Sequence, residues 1–353
     1  MKLTMSMKEL LSSSMTKSRL TFMLAEGLLE HYSTNSTFKI VVVYDTKIKG
    51  HDFEQQHTHE EADTLIPNQV LASVADSPWR DIYVWSPDTD VLMLLLDVVS
   101  CGRLGPQTSL KFQTGKGAKY REIDVVKRVE VIGQQKCQGL IGLHNFTGAD
   151  WGGKFVGISK KTWANAYMTL VESDDAINCF RELGEGPIPT ELVNGQLPPQ
   201  VKCLEQFVCS VYCSKGPQTL PSLRWELFCS KNMEGEMLPP TLAALLPHIT
   251  RANYMAMRDK SYTRNCPTLP PIEENGWSEK EGSELYVPMR CLNMPAPRSV
   301  IELTKCGCKA GCKGRCSCCK NGLPCTPLCK CYGMECGNVI RIDDEHAELD
   351  DDE

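Results

Sequence analysis

The sequence predicts an α/β protein: a domain of short buried strands and helices, then a run of helices, then a small cysteine-rich module stabilised by metal. Three observations carry this. Apolar, β-branched runs such as Phe38–Tyr44 and Asp81–Trp85 alternate with segments of helical periodicity. A middle stretch of helical segments is punctuated by Pro187, Pro189, Pro198-Pro199, Pro239-Pro240 and Pro270-Pro271. Ten of the nineteen cysteines fall between Cys306 and Cys336, which marks that segment off from the rest.

Bulk properties narrow the function classes. A chain of 353 residues has room for one to three domains and an ample core. A net charge of −6 argues against a protein coated with nucleic acid, so any such contact belongs to a local patch. No apolar run approaches the roughly 20 residues of a membrane span. The longest candidate, Val91–Val99, is interrupted by Asp97. Met1–Met15 carries Lys2, Lys8 and Glu9 without a sustained apolar core, so a secretory signal is not read there and the protein is expected not to be secreted. The nine cysteines before Cys306 read as buried thiols of a reducing compartment. Cys209 and Cys213, four apart, lack the further ligands of a metal site.

In chain order, Leu20, Met23, Leu24, Leu28 and Leu29 predict a helix over Thr16–Tyr32. Phe38–Tyr44 is a buried strand ending at Asp45, and Thr46–His57 reads as loop. Thr58 is placed as an N-cap with Glu61 three residues on, as in a capping box, before a helix to about Val74 that Pro67 interrupts. Asp81–Trp85 is a buried strand, and Val91–Val99 is either helix or continuing strand. Ser109–Thr114 and Lys119–Ile123 form a hairpin about Gly115-Lys116-Gly117, a surface turn without phosphate-loop spacing. Gln135–Phe146 is a helix leading into Thr147-Gly148-Ala149-Asp150. Ser159 caps a helix starting at Lys160, whose free N–H groups beside Lys160 and Lys161 either hold a phosphate or sit solvated. Helices follow over Asp174–Leu183, Val201–Cys213, Ser222–Cys229 and Thr241–Met257, and Asn265–Pro297 reads as a connector.

Three acidic stations edge these elements: Glu61 with Asp63, Asp88 with Asp90, and Asp150. Asp88 and Asp90 follow the Asp81–Trp85 strand and precede the apolar run Val91–Leu96, which pins them where the sheet ends. Carboxylates gathered there need a compensating charge, and a hard divalent cation such as Mg²⁺ or Mn²⁺ prefers oxygen ligands. Glu61 is either a ligand or a cap partner. Glu-Ala-Asp, then Asp-x-Asp after a strand, then Gly-Ala-Asp before a glycine-rich basic turn, resembles the flap-endonuclease-like branch of the PIN-like nucleases over residues 16–171. The resemblance implies a mostly parallel sheet flanked by helices, with Glu61, Asp63, Asp88, Asp90 and Asp150 among the catalytic carboxylates of a two-metal site using Mg or Mn. It also implies a backbone grip on DNA at Gly157, Ser159, Lys160 and Lys161, with the family's Gly-Ile-Gly replaced by Gly157-Ile158-Ser159. In that family an opening strand and its successor carry further metal-binding aspartates. Here Met1–Tyr32 reads as helix, so the resemblance implies a domain without its opening strands and little or no nuclease activity.

The last segment spaces nine cysteines C-x-C-x3-C-x3-C-x-C-x6-C-x3-C-x-C-x4-C: Cys306, Cys308, Cys312, Cys316, Cys318, Cys325, Cys329, Cys331 and Cys336. Zinc takes four ligands, so three ions need twelve positions, which nine thiolates fill if three of them bridge. The spacing therefore predicts about three zincs, with Cys319 outside the cluster. The segment, closing on Cys336-Gly337-Asn338, looks like the CXC modules of tesmin-type and pre-SET proteins, some of which bind DNA. Arg315 stands where the tesmin type has tyrosine. Six cations, Glu335, nine thiolates and three Zn²⁺ leave the loaded module at about +2 on a formal count. Asp343–Glu353 then adds eight carboxylates, expected either to mask the module or to compete with phosphate.

The expected organisation is a PIN-like domain over 16–171, a helical region over 172–264, a connector over 265–300, the zinc module over 301–338 and an acidic tail over 339–353. The combination resembles products of mobile-element genes. Two functions follow: a degenerate metal-dependent nuclease with a DNA-contacting zinc module, or a binding protein that recruits a protein or nucleic-acid partner through the zinc module and middle helices. Either is expected in the nucleus, with the cytoplasm as alternative and no membrane association.

Overall fold

A computed structural model describes residues 6, 11–33, 39–75, 80–149, 153–231, 237–280 and 282–291, and in the last segment residues 306–308, 312, 316–325, 329–331 and 336–338. The chain forms two compact units, Met1–Arg290 and Cys291–Glu353.

The first unit opens with α1 (Ser14–Tyr32), capped by Ser13, of which only Ala25 is buried. It packs on a small antiparallel sheet, β1 (Val42–Tyr44), β2 (Lys47–Lys49) and β3 (Glu54–Gln56), through a cluster of Ala25, Val42 and Tyr44. The loop expected over residues 46–57 is thus two strands. Asp45 takes φ +50°, which makes a two-residue turn between the paired Tyr44 and Lys47. Lys47 and Glu54 then pair across the strands at 2.7 Å.

α2 runs Ala62–Ala75, three residues later than a cap at Thr58 requires. The Thr58 N–H instead donates to the Asn265 carbonyl, so the capping box does not form. Pro67 lies inside α2 and cannot donate to the Asp63 carbonyl, yet the helix continues. β4 (Asp81–Trp85) leads to α3 (Thr89–Ser100), which settles residues 91–99 as helix. Asp88 caps it, and Val91, Leu94, Leu95 and Val98 form its buried stripe. β5 (Ser109–Thr114) pairs parallel with β4, and β6 (Arg121–Asp124) pairs antiparallel with β5. The expected mostly parallel sheet is therefore a single parallel pair plus a hairpin strand. The α3 crossover gives β5 its parallel direction, whereas the short turn over residues 115–120 can only reverse the chain.

Next come α4 (Val125–Ile132), α5 (Gln134–Gly148), α6 (Lys160–Thr169), α7 (Asp175–Glu182), α8 (Pro199–Tyr212), α9 (Leu220–Lys231) and α10 (Leu242–Lys260). α5 is buried along most of its length. A Cβ on Gly142 would collide with the Phe180 carbonyl oxygen, so glycine permits the close approach of α5 and α7. One apolar core runs from Val70 through Leu95, Phe112, Phe146 and Phe180 to Leu204, Leu245 and Tyr262. The helices of the middle region thus share the core of the strands rather than standing apart. The stretch read as connector is structured at β7 (Trp277–Glu279) and β8 (Tyr286–Pro288), where Trp277 is buried against Tyr254 at 5.3 Å between rings.

In the second unit the described residues include one short helix, α11 (Ser317–Lys320), capped by the Cys316 thiol. Its buried cluster consists of cysteines, joined by partly buried Leu323. Among the described residues, the apolar material for an ordinary core is missing from it.

Candidate metal centres

Tyr262 fixes the frame of the first site. Its hydroxyl donates to Asp97 Oδ2 at 2.6 Å, and its carbonyl accepts from Asn68 Nδ2 at 2.9 Å. One residue at the end of α10 thereby ties α2 to α3. Burial raises the Asp97 carboxyl above its ordinary value, which suits a shared proton with Tyr262. These three helices carry the carboxylates.

Glu61 and Asp63 at the start of α2, and Asp88 and Asp90 at the start of α3, line one small cavity of about 60 Å³. It lies beyond the C-terminal end of β4. Asp88 accepts from the Asp90 N–H at 3.0 Å while its own N–H donates to Ser86 Oγ at 3.1 Å, so the station is held by its own turn. Asp63 lies among the others: burial first, then the charges of Asp88, Glu61, Asp90 and Asp259, push its carboxyl up to about 6. Ala149 lines the cavity, but the expected ligand Asp150 falls outside the described residues.

Three further residues enter the site. Arg258 and Asp259 come from the last turn of α10, and His144 from α5. Arg258 donates from Nε and Nη2 to Asp259 Oδ1 at 3.1 and 2.9 Å, and its Nη2 stands 3.7 Å from Glu61 Oε2. Asn145 Nδ2 holds the other Asp259 oxygen at 2.7 Å. His144 Nε2 lies 3.4 Å from Asp90 Oδ2. The site thus gathers five carboxylates about one guanidinium, and Glu61 faces a cation rather than a helix cap. Hard oxygen donors in excess of fixed cations suit Mg²⁺ or Mn²⁺, and the volume has room for an ion with a water or two, at roughly 10–15 Å³ each. The oxygens are not drawn as tightly as the thiols described below. Among the described residues, only cysteines form groups of three or more ligand atoms within 4.8 Å of one another.

Of the residues read as a backbone grip, Ser159 caps α6, its hydroxyl accepting from the Thr162 N–H at 3.1 Å. Gly157 takes φ +77°, and Lys160 and Lys161 are exposed on the first turn.

In the second unit the cysteine sulfurs converge. Cys306, Cys312, Cys325 and Cys331 form one set. Within it Cys306 lies 3.7 Å from Cys312, 3.9 Å from Cys325 and 3.4 Å from Cys331, and Cys312 lies 3.7 Å from Cys325 and 3.3 Å from Cys331. A zinc–thiolate tetrahedron with bonds of about 2.3 Å has edges of roughly 3.8 Å, while a disulfide needs about 2.05 Å. The spacing is that of a metal site. Two more sets share its members: Cys306, Cys316, Cys318 and Cys325, and Cys306, Cys308, Cys312 and Cys316. Cys329 lies 3.7 Å from Cys318, and its sulfur accepts the Cys306 N–H. Cys319 belongs to none of the three sets; its N–H donates to the Cys316 sulfur.

Supporting hydrogen bonds fit thiolates. Asn338 Nδ2 donates to the Cys325 sulfur at 3.4 Å and to the Leu323 carbonyl at 2.9 Å, which gives the closing Cys-Gly-Asn a physical role. The backbone at Cys308 pulls Cys306 down to about 6, and that at Cys312 pulls Cys336 down to about 7. Burial pushes Cys318 up to about 12 when no metal compensates. The cluster can hold a metal ion, and an all-sulfur tetrahedral donor set is consistent with zinc.

No helix among the described residues is long and apolar enough to cross a membrane. Comparison with protein-family models, with curated proteins and with solved structures finds no match to this chain.

Proposed function

We propose that the protein is a nuclease-descended binding protein, with a carboxylate cavity that takes one divalent cation and a C-terminal module built on about three zincs. The observation that carries this reading is the convergence of Glu61, Asp63, Asp88 and Asp90, two separate stations, on one cavity that also contains Arg258. The paired stations follow the order of the flap-endonuclease-like pattern. Two-metal hydrolysis needs two ions about 3.5–4 Å apart, one to activate water and one to stabilise the leaving oxygen. Arg258 supplies positive charge where a second ion would otherwise be drawn, which favours a single ion and little turnover.

The cysteine sets share Cys306, Cys312, Cys316 and Cys325, and sharing is what lets few thiolates serve three ions. The module's role in this reading is contact with a DNA or protein partner in the nucleus. A rival reading, an active Mg- or Mn-dependent phosphodiesterase of mobile-element descent, is favoured by Asp259, which adds a carboxylate to the cavity. Titration of the zinc-loaded chain with Mn²⁺, followed by electron paramagnetic resonance, tests the cavity. One bound Mn²⁺ per chain is expected, lost in Asp88→Asn; two equivalent ions favour the rival, and none removes both readings.

A further inference from the structure

One face of the β4–β5–β6 sheet is uncovered. Val84, Leu110 and Phe112 point into the core, while Tyr83 and Trp85 alternate outward and are 55% and 52% exposed. The register sets Trp85, Gln113 and Glu122 in one row, and Tyr83, Lys111 and Asp124 in the next. Tyr120, 49% exposed, closes the β5–β6 turn and donates to Glu122 Oε2. Lys111 Nζ lies 5.5 Å from the Tyr83 ring centroid, and Lys116 Nζ lies 5.9 Å from that of Trp85. Three half-exposed rings on one small face are unusual for a surface without a ligand.

The charges on this face are unevenly matched. Glu122 pairs with Lys111 at 3.2 Å and accepts from Gln113 at 3.0 Å. Asp124 caps α4 and pairs with Lys127 at 3.6 Å. Lys116 and Lys119, in the turn, make no ion pair among the described residues, whereas Arg121 alternates with Glu122 and belongs to the opposite face. The exposed Asp81 lies at the other end of β4, about 13 Å from Trp85 at roughly 3.3 Å per residue. The Trp85 end therefore joins aromatic rings to two unpaired lysines, beside a Glu122 already held by Lys111, in a chain whose net charge is −6. It is also the end that leads to the cavity: Trp85 precedes Asp88 by three residues, and the intervening Ser86 N–H donates to the Gln113 carbonyl.

We infer that this face is a stacking platform for single-stranded nucleic acid, with bases on Trp85 and Tyr83 and phosphates along Lys116 and Lys119. Base stacking on exposed rings tolerates any sequence, and the neighbouring cations follow the backbone. The inference deepens the nuclease-descended reading and rests on it for the approach of the strand to the cavity; binding itself needs no cation there. A polypeptide strand added to the open edge of β4 is the competing occupant, but it has no use for two unpaired lysines beside the rings.

The test uses the zinc-loaded full chain without Mg²⁺ or Mn²⁺, a fluorescein-labelled oligothymidylate of twelve residues, and a duplex of the same length. Saturable binding of the single strand is expected, tighter than the duplex and accompanied by tryptophan quenching. Trp85→Ala and Tyr83→Ala should each weaken it roughly fivefold or more. Lys116→Gln with Lys119→Gln should lower the salt dependence by about 0.7 for each phosphate no longer neutralised. Trp225→Ala, which removes another exposed ring, should change neither. Single-strand affinity unaltered in both aromatic variants overturns the platform, as does preference for the duplex. So does loss of self-association, rather than of strand binding, in Trp85→Ala, which would mark a protein-docking edge. The two readings fail separately: Mn²⁺ bound with no strand bound removes only the platform, and strand bound with no Mn²⁺ removes only the cavity.

Discussion

The cysteine module and the carboxylate cavity gather negative charge in opposite ways. The module takes its ligands from one short stretch, holds sulfurs 3.3 to 3.9 Å apart, and among the described residues has no apolar core to force them together. The cavity draws Glu61 and Asp259 from distant parts of the chain, spaces its oxygens more widely, and contains its own cation in Arg258. The first arrangement has no reason to exist without metal; the second is held by a core that forms regardless. In the proposed reading, metal is the folding energy of one and a ligand of the other.

The largest effect expected from this contrast is on removing zinc. A strong chelator should unfold the segment from Cys306 to Asn338, since structural zinc sites contribute on the order of 10–16 kcal/mol apparent. The first unit should keep its far-ultraviolet dichroism and melting transition. Native mass spectrometry should report about three zincs before chelation. Cys306→Ser, which removes a member of all three sets, should lose more than one, and Cys319→Ser none. One zinc per chain, or intramolecular disulfides in freshly reduced protein, would contradict the account.

A smaller effect should follow from Arg258→Gln. The guanidinium competes with any cation in the cavity, and its removal should tighten Mn²⁺ binding severalfold, on the order of 1 kcal/mol for a partly solvated charge. The same change should lower metal-free stability, because Glu61 and Asp259 lose their partner. Unchanged affinity by calorimetry would mean that Arg258 lies outside the field of the ion.

The smallest effect concerns pH. Asp63 has its folded value raised to about 6, so between about 4 and 6 the native state binds more protons than the unfolded chain. Metal-free stability should therefore fall as pH rises through that window and level off above it. Asp63→Asn should remove this slope and stabilise the protein at pH 7 by roughly 1 kcal/mol, once solvent screening is allowed for. Urea titrations at pH 4, 5, 6 and 7 read this directly; parallel slopes for the two proteins would show that Asp63 is not in a crowded field.

The contrast also explains what is legible in the sequence. Thiolate spacing is a local property, so a cysteine cluster able to hold metal can be read between Cys306 and Cys336 from intervals alone. Asp88 and Asp90 are legible because a strand and an apolar helix bracket them within a few residues. Arg258, Asp259 and His144 are not, since helical periodicity marks them only as ends or faces of helices; the Tyr262–Asp97 bond that brings α10 to α3 has no local signature. The antiparallel β5–β6 pair is legible as a hairpin, since its turn is local, and what misleads about sheet direction is the resemblance. The resemblance implies parallel strands, but the short turn over residues 115–120 dictates an antiparallel partner for β5. The strands β2 and β3 escape the sequence because Lys47–Lys49 and Glu54–Gln56 are largely polar, with Ile48 alone buried, and the turn that pairs β2 with β1 rests on the positive φ of Asp45.

The measurement that bears most directly on the central claim is metal-dependent cleavage. The zinc-loaded chain, given Mn²⁺, is incubated with single-stranded, flap and duplex DNA beside its Asp88→Asn variant. The account predicts Mn²⁺ bound in the cavity with little or no cleavage above the variant on any substrate. Robust turnover abolished by Asp88→Asn would contradict it, and would show that the cavity assembles a second ion despite Arg258.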